Sequence, residues 1–254
     1  MDGPLHVHAV KITAIIPARM DSTRLPGKPL ADIGGTPMIV HAWHAAQAHP
    51  DIDEVLVATD HPDIAAAVRH AGGNAVMTGE HPSGTDRCHA AWLSLGADAA
   101  DHAVVNLQGD EPFPDGLHIA ALCRSLRSGD AVATVRRPAA AGEADLPERV
   151  KVECDADGRA LRFSRRPVPP NGPHHIHIGL YGFGPGWLDR CARLPLGHLE
   201  QEERLEQLRW LEAGIPIQVV DVEEADGPGS VDTAEDLERV RTWYGKRTSA
   251  GPTV

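Results

Sequence analysis

A basic loop near the start of the chain carries the residue types that most clearly point to chemistry. Residues 17–30 read PARMDSTRLPGKPL and place Arg19, Arg24 and Lys28 in a segment without helical or strand periodicity. The chain as a whole has a formal net charge of −12. Cationic side chains and backbone N–H groups in such a loop can hold phosphate oxygens. We interpret the loop as a polyphosphate site; the alternative is a solvated basic loop that pairs with surplus carboxylates.

The loop matches neither of two common phosphate-binding motifs. Lys28 is followed by Pro29 rather than by Ser or Thr, and the upstream glycine of a Walker A loop is missing. The loop also lacks the G-x-G-x-x-G pattern of dinucleotide-binding folds. The expected position of the loop in the fold is therefore the better guide to its function.

Strand-like and helix-like segments alternate over the first half of the chain. This alternation predicts a mostly parallel sheet covered by helices on both faces, a three-layer α/β sandwich. Ligands of such sheets bind beyond the carboxyl ends of the strands, where loops 17–30 and 108–112 are expected. The predicted strands are residues 11–17, 54–59, 74–78, 103–107 and 131–135, and the predicted helices are residues 38–49, 62–70, 85–95 and 117–126.

The alternation changes after about residue 136. Residues 150–154 and 160–164 flank Asp155-Ala156-Asp157-Gly158, which predicts a β-hairpin. We predict a single domain over residues 1–254, with a smaller β-rich insertion at about residues 137–195 that serves the substrate or a dimer. The remaining predicted elements are strands at 176–183 and 215–220, a helix at 199–213 with Leu205, Leu208 and Leu211 facing the core, and a helix at 233–243 with Asp232 as its N-cap.

Composition excludes several classes of protein. A net charge of −12 argues against a general nucleic-acid binder, which needs a broad basic face. No apolar run reaches the length of a membrane span, and the first residues lack the apolar core of a signal peptide. The four cysteines are far apart and form no C-x-x-C pair, which disfavours a zinc site or a redox dithiol and indicates a reduced, cytoplasmic compartment.

The loop and a series of later motifs resemble the 3-deoxy-manno-octulosonate (Kdo) cytidylyltransferase family. The resemblance extends over residues 11–240, and its motifs occur in family order. After the loop come ATD at 58–60, SGTDR at 83–87, VNLQGDEP at 105–112, VKV at 150–152, FSR at 163–165, H-x-G-x-Y at 177–181, LEQLR at 205–209 and VDT-x-EDL at 231–237. One such motif would be weak evidence for the family, whereas eight motifs in the family's order are specific evidence for it.

The resemblance implies an enzyme that joins CTP to a 2-keto-3-deoxy sugar acid, giving the CMP-sugar and pyrophosphate. It implies Mg²⁺ on Asp110 and Asp232, and catalytic roles for these two residues together with Arg19 and Lys28. It places the nucleotide on Pro17, Ala18, Arg19, Ser22, Lys28, Arg87 and Gln108, and the sugar acid on Arg24, Arg165, His177, Tyr181, Glu206 and Gln207.

Several of these residues have simpler explanations. Asp232 could serve only as a helix cap, Tyr181 as core packing, and Glu206-Gln207 as a solvated helix face. No side chain is an obvious general base; His177 is a candidate by its type, but a metal-activated hydroxyl needs none.

The chain departs from the family near the predicted sugar-acid residues. The segment from Arg166 to His175 is short and holds four prolines, Arg166 replaces a small residue, and Phe183-Gly184 stand where a hydroxylated aromatic residue and an arginine are more usual. These changes suggest the hypothesis that the acceptor is another anion, such as an amino-sugar variant, another keto-deoxy acid or a phosphonate.

Two other classes remain as alternatives, a glycosyltransferase and a non-catalytic nucleotide-binding protein. The first would normally carry an Asp-x-Asp motif, where this chain has Gln108-Gly109-Asp110. The second would be expected to lose Lys28 or a metal ligand. The resemblance further implies a homodimer in the cytoplasm that serves nucleotide-sugar and lipopolysaccharide biosynthesis, with no nucleic-acid or membrane partner.

Overall fold

The first strand lies at the centre of the fold because both of its faces are apolar. Ile12, Ala14 and Ile16 enter one core cluster, whereas Ile15 enters a second cluster on the opposite face. A strand buried on both sides is typical of a parallel sheet between two helix layers. The structure, a computed structural model, describes residues 10–22, 24–96, 101–167 and 174–249.

Eleven strands and eight α-helices are formed by the described residues. The strands are β1 (Ile12–Ala18), β2 (Asp32–Ile33), β3 (Thr36–Pro37), β4 (Glu54–Thr59), β5 (Asn74–Met77), β6 (Ala103–Asn106), β7 (Val132–Pro138), β8 (Lys151–Cys154), β9 (Ala160–Ser164), β10 (His175–Phe183) and β11 (Ile217–Asp221). The helices are α1 (Met38–Gln47), α2 (Pro62–His70), α3 (Gly84–Ser94), α4 (Gly116–Arg127), α5 (Trp187–Ala192), α6 (His198–Glu203), α7 (Gln207–Glu212) and α8 (Ala234–Ser249).

The central sheet has the strand order β11-β7-β10-β6-β1-β4-β5. Strand β1 is parallel to β4 and β6, β4 is parallel to β5, and β7 is parallel to β11. Strand β10 is antiparallel to both of its neighbours, β6 and β7. The prediction of a mostly parallel sheet is therefore confirmed.

Helices cover both faces of this sheet. Residues of α1, α2 and α4 pack in the first core cluster, and residues of α3, α5 and α7 pack in the second. This confirms the predicted three-layer α/β sandwich. The short helix α5 was not predicted, because its six residues are too few to show a helical period.

The predicted hairpin is formed by β8 and β9. The Asp155 carboxylate accepts hydrogen bonds from the backbone N–H groups of Asp157 and Arg159 and so fixes the turn. The hairpin joins the central sheet where Lys151 pairs with Ile176 of β10, and its turn contacts β11 through a bridge between Arg159 and Gln218. A small antiparallel β-sheet is thus attached to the start of β10.

The predicted helix over residues 199–213 is wrong, because this segment forms two helices. Arg204 adopts a left-handed conformation (φ 53°) between α6 and α7. The break lets the two helices fold against each other, and Arg209 then forms a buried two-pronged ion pair with Glu200 at 2.6 Å. In one continuous helix these residues would lie about 13 Å apart along the axis. Leu205 and Leu208 are buried as predicted.

The prediction that Asp232 caps the last helix is also wrong. The Thr233 hydroxyl accepts the Asp236 backbone N–H, and the Asp236 carboxylate accepts the N–H groups of Asp232 and Thr233. A threonine followed three residues later by an acid forms this reciprocal cap. The carboxylate of Asp232 is therefore available for other contacts.

Two further observations concern the cysteines and the character of the helices. Cys88, Cys123, Cys154 and Cys191 are all free thiols. Among the helices of the described ranges, none combines the length and hydropathy that a membrane crossing requires.

Candidate active site

The loops that follow β1 and β6 meet at one edge of the sheet, as predicted. Strands β1 and β6 are parallel neighbours, and Ile15 is in register with Asn106. At Gly109 a Cβ atom would lie 2.3 Å from the carbonyl oxygen of Pro17. This close approach of two backbones requires glycine. It fixes the 108–112 turn against the start of the basic loop.

A cleft of about 290 Å³ opens beside this contact. It is lined by the basic loop, by the 108–110 turn and by the segment that leads into α3. Every residue predicted to hold the nucleotide lines this cleft, together with Arg24 and the two aspartates: Pro17, Ala18, Arg19, Ser22, Arg24, Lys28, Arg87, Gln108, Asp110 and Asp232. Arg24 was predicted on the sugar-acid side, but the structure places it in this first cleft.

Two carboxylates and two cations form a compact cluster in the cleft. The ammonium of Lys28 lies 3.0 Å from Oδ2 of Asp110 and 3.3 Å from Oδ1 of Asp232. Arg24 contacts the same Asp232 oxygen at 2.9 Å. The predicted metal ligands are thus adjacent, although they are 122 positions apart in the sequence.

The backbone brings these aspartates together. The N–H of Val231 donates to the carbonyl of Asp110 at 2.8 Å, which attaches the segment before α8 to the turn after β6. Because Thr233 caps α8, the side chain of Asp232 can face Lys28. Within the described ranges no three His, Cys, Asp or Glu side chains converge, so the two aspartates offer an incomplete ligand set.

Arg87 supports one wall of the cleft. Its guanidinium donates to Asp60 at 2.6 Å, to the Thr78 hydroxyl at 2.8 Å and to the Gly79 carbonyl at 3.3 Å. The residue is only 4 % exposed. Arg87 therefore connects α3 to the ends of β4 and β5, and most of its donors are used within the protein.

A second cleft of about 580 Å³ adjoins the first. The two clefts share Gln108, Asp110 and Asp232. The predicted sugar-acid residues Arg165, His177 and Tyr181 line the second cleft. Gln207 lines a smaller hollow that has the same three residues in its wall. The carboxylate cluster therefore stands at the junction of a basic cleft and a second cleft.

An irregularity in β10 shapes this junction. The register of β10 against β7 shifts between Ile178 and Tyr181, a β-bulge or similar irregularity. The side-chain amide of Gln108 donates to the freed carbonyl of Gly179 at 3.1 Å. Bulges often re-aim side chains beside active sites. This one fixes the orientation of the Gln108 amide between the clefts.

His177 is held as a neutral side chain. It is 9 % exposed, and burial lowers its pKa to about 3. Its Nε2 lies 2.9 Å from the Thr134 hydroxyl, which itself donates to the Leu180 carbonyl at 2.7 Å. We assign the Nε2 proton to His177 on this basis, because the threonine proton is already engaged. Nε2 is therefore not free to act as a base.

Tyr181 belongs both to a core cluster and to the wall of the second cleft. Its ring packs edge-on against Trp210 at 5.1 Å and is buried in the second core cluster. It also lines the second cleft. Burial raises the pKa of its hydroxyl well above the usual value, so Tyr181 stays protonated.

Glu206 and Gln207 do not form a solvated helix face. Glu206 accepts hydrogen bonds from Ser83 at 2.8 Å and from Thr85 at 2.7 Å, at the N-terminus of α3. Burial raises the pKa of its carboxyl group. Gln207 is 3 % exposed, and its Nε2 is buried without a partner in the part of the chain that is described. The side chain predicted to bind the sugar acid thus has unused donor capacity beside the hollow.

The motifs did not point to Arg137 and Arg149, which line the second cleft. Arg137 forms a two-pronged ion pair with Glu143 and contacts Glu224 at 2.8 Å. The bonded guanidinium lowers the pKa of Glu143 to about 2. The signal available in the sequence was a pair of arginines, 136 and 137, in an otherwise apolar strand.

The departures from the family that the structure describes are not among the residues that line the two clefts. Phe183 is fully buried and packs edge-on against Trp210. Gly184 lies against the Asp130 carbonyl, which a Cβ atom would approach to 2.7 Å. Arg166 is exposed and pairs with Glu202. These three residues therefore give the altered-acceptor hypothesis no support from the clefts. Residues 168–173 of the short loop lie outside the described ranges.

Comparison with known proteins gives a consistent result. The cytidylyltransferase family model matches residues 13–221. The 3-deoxy-manno-octulosonate cytidylyltransferase of Anaeromyxobacter dehalogenans strain 2CP-1 is 44% identical over 236 residues, which are 91% of this chain and 96% of the relative. The enzyme of the same name from Bradyrhizobium sp. strain ORS 278 is 46% identical over 244 residues, 93% of this chain and 98% of that relative.

A solved structure agrees with these relatives. The CMP:2-keto-3-deoxy-manno-octonic acid synthetase complexed with CTP superposes with a TM-score of 0.87 at 39% identity. The superposition covers 93% of this chain and 99% of the other. The chain therefore belongs to the cytidylyltransferase family of these 3-deoxy-manno-octulosonate enzymes.

Proposed function

We propose that the chain transfers CMP from CTP to the anomeric hydroxyl of 3-deoxy-manno-octulosonate. The hydroxyl oxygen forms a bond to the α-phosphorus as the bond to the bridging oxygen of pyrophosphate breaks, and the hydroxyl proton is released. The observation that carries this proposal is the junction of the two clefts at Asp110, Asp232 and Gln108. One cleft is rich in cations, and the other is lined by arginines, by carboxylates and by neutral polar groups.

In the first cleft, cations would hold the triphosphate. Arg19 and Lys28 come from the loop after β1, and Ser22 adds a hydroxyl. Cations fixed near the departing pyrophosphate stabilise the charge that develops there. Gln108 suits the cytosine because an amide both donates and accepts hydrogen bonds. Pro17 and Ala18 supply backbone walls.

In the second cleft, Arg165 would hold the sugar carboxylate through paired hydrogen bonds. His177 and Tyr181 would contact sugar hydroxyls as neutral groups, because burial keeps both uncharged near neutral pH. The buried Nε2 of Gln207 has no hydrogen-bond partner in the described structure. It could donate a hydrogen bond to a sugar oxygen. Arg24 belongs to neither group of binding residues in this arrangement, because it pairs with Asp232 at the junction of the two clefts.

The carboxylate pair fits Mg²⁺. Asp110 and Asp232 offer two hard oxygen ligands close together, and Mg²⁺ is commonly held by one or two carboxylates with substrate phosphates and water. Bound there, Mg²⁺ would draw charge off the phosphate oxygens and lower the pKa of the attacking hydroxyl. The protein's own part is to orient both substrates and to exclude water from the junction.

We also propose that the chain acts as a homodimer in the cytoplasm, in nucleotide-sugar biosynthesis for lipopolysaccharide. The free thiols suit a reducing compartment. Leu161 on β9 is 60% exposed, an apolar side chain that a second copy could cover. Size-exclusion chromatography with light scattering tests this; a mass of one chain would contradict the dimer.

Pyrophosphate release tests the reaction. The purified chain is supplied with Mg²⁺ and CTP, UTP or ATP, and with 3-deoxy-manno-octulosonate, its amino analogue, another 2-keto-3-deoxy acid or a phosphonate. The proposal predicts the highest kcat/KM for CTP with 3-deoxy-manno-octulosonate. A higher kcat/KM with another acceptor would favour the altered-acceptor hypothesis. If no combination of nucleotide and acceptor released pyrophosphate, the proposal that the chain is an enzyme would be contradicted.

A further inference from the structure

The ammonium of Lys28 has all of its donors engaged within the carboxylate cluster. It contacts Asp110 at 3.0 Å, Asp232 at 3.3 Å and the Val231 carbonyl at 2.9 Å. An ammonium group has three N–H donors, so these three partners satisfy it fully. The side chain is 14% exposed. Lys28 thus bridges the two carboxylates that were assigned to the metal.

Arg24 adds a second cation to the same group. Its Nη2 lies 2.9 Å from Oδ1 of Asp232, the oxygen that also faces Lys28. Two carboxylates and two cations give the cluster a net charge of zero. A divalent cation that arrives alone therefore meets no net attraction and has to displace an ammonium that makes three hydrogen bonds.

A triphosphate changes this balance because it competes for the same cations. Lys28 and Arg24 line the first cleft together with Arg19. Phosphate oxygens accept hydrogen bonds from lysine and arginine as well as carboxylates do. Lysine carries its charge on a flexible stem and can turn from one acceptor to another. If Lys28 turns to a phosphate, Asp110 loses its counterion and Asp232 keeps only Arg24, which can turn to a phosphate as well. Both carboxylates then become oxygen ligands beside that phosphate.

We propose that Lys28, supported by Arg24, closes the carboxylate pair to divalent cations until the nucleotide binds. The nucleotide then creates the metal site, and the two bind cooperatively, each raising the affinity for the other by the same factor. The proposal rests on the proposed function, because it takes CTP as the ligand of the first cleft. It adds the order of binding and names the residue that sets it.

The test uses Mn²⁺ as a spectroscopic probe on the nucleotide-free protein. Electron paramagnetic resonance measures the Mn²⁺ affinity of the wild type, of Lys28→Met and of the double variant Lys28→Met/Asp110→Asn. Lys246→Met, an exposed lysine on α8, is the matched control. We expect Lys28→Met to bind one Mn²⁺ at least about tenfold more tightly than the wild type, a gain that the double variant loses and the control never shows.

Two results would overturn the proposal. One is equal Mn²⁺ affinity in the wild type and Lys28→Met; the other is a gain that survives in the double variant. If Lys28→Met does not fold, Arg24→Gln replaces it, with a smaller gain expected and no gain contradicting the proposal. Calorimetry of CTP binding to the wild type separates the two claims: no CTP binding with Mg²⁺ present contradicts the proposed function, whatever the Mn²⁺ result.

Discussion

His177 and Thr134 form a buried hydrogen bond of 2.9 Å between β10 and β7, at the wall of the second cleft. The ring donates this bond from Nε2 in its neutral and in its protonated form alike, so it is burial that lowers the pKa of the histidine to about 3. The unfolded chain would bind a proton at this histidine near pH 6.5. His177 therefore links the stability of the fold to pH.

The first prediction concerns this pH dependence. Between pH 6.5 and about 3 the unfolded state binds the His177 proton and the folded state does not, so stability falls as pH falls through this window. The contribution is about 1 kcal/mol per pH unit. Urea unfolding at pH 7 and pH 5 measures it. His177→Gln, which keeps a donor for Thr134, should lose less stability over this range than the wild type; an equal loss would contradict the assignment.

The second prediction compares Asp110 with His177. Asp110→Asn keeps the shape of the side chain but removes one of the two carboxylate charges at the junction. We expect kcat to fall on the order of 100-fold or more. His177→Ala should lower kcat less and mainly raise the KM of the acceptor, because the Nε2 proton is committed to Thr134. Steady-state rates of both variants decide the point. A larger loss of kcat at His177 would favour a histidine base over a metal-centred reaction.

The third prediction concerns Gly109. A Cβ atom there would lie 2.3 Å from the Pro17 carbonyl, so Gly109→Ala must push the 108–112 turn away from the basic loop. We expect CTP affinity, measured by calorimetry, to fall at least about tenfold while the protein stays folded. Gly245→Ala on α8 is the matched control, since its Cβ would meet nothing within 4 Å. Unchanged CTP affinity in Gly109→Ala would show that this contact does not shape the cleft.

The fourth prediction concerns Glu206, which connects α7 with the N-terminus of α3. Both of its oxygens accept hydroxyl hydrogen bonds, from Ser83 and Thr85, and Ser83 lines the first cleft. Glu206→Ala should therefore raise the KM of CTP several-fold. Glu206→Gln, which keeps one acceptor, should restore part of the loss. A rise confined to the KM of the sugar acid would instead support the direct contact that the family resemblance implies.

Elements that depend on local pattern were predictable from the sequence. The strand at 54–59 and the helix at 62–70 have the bounds predicted for them. The strand is specified by a local apolar run, and the helix by a proline at its start and a glycine after its end. The position of the basic loop beside the 108–112 turn also followed, since parallel strands end at one edge of the sheet. The residues that line the first cleft were therefore within reach of sequence reasoning.

Features that depend on distant partners were not predictable. The break at Arg204 is stabilised by the Arg209–Glu200 pair, which no periodicity reveals. Asp232 resembles a helix cap until Thr233 is seen to take that role. The burial of Phe183 against Trp210 likewise required the packed second core cluster. In each case a tertiary contact decided between two locally acceptable roles.

The proposed transfer of CMP can be followed directly through the α-phosphorus of CTP. Wild-type protein is mixed with Mg²⁺, 3-deoxy-manno-octulosonate and CTP labelled at the α-phosphate, and the products are separated and identified by mass. We expect label in an ester of CMP with the sugar acid, with one pyrophosphate released for each ester formed. Label that remains in CTP, or appears only in free CMP while no ester is formed, would contradict it.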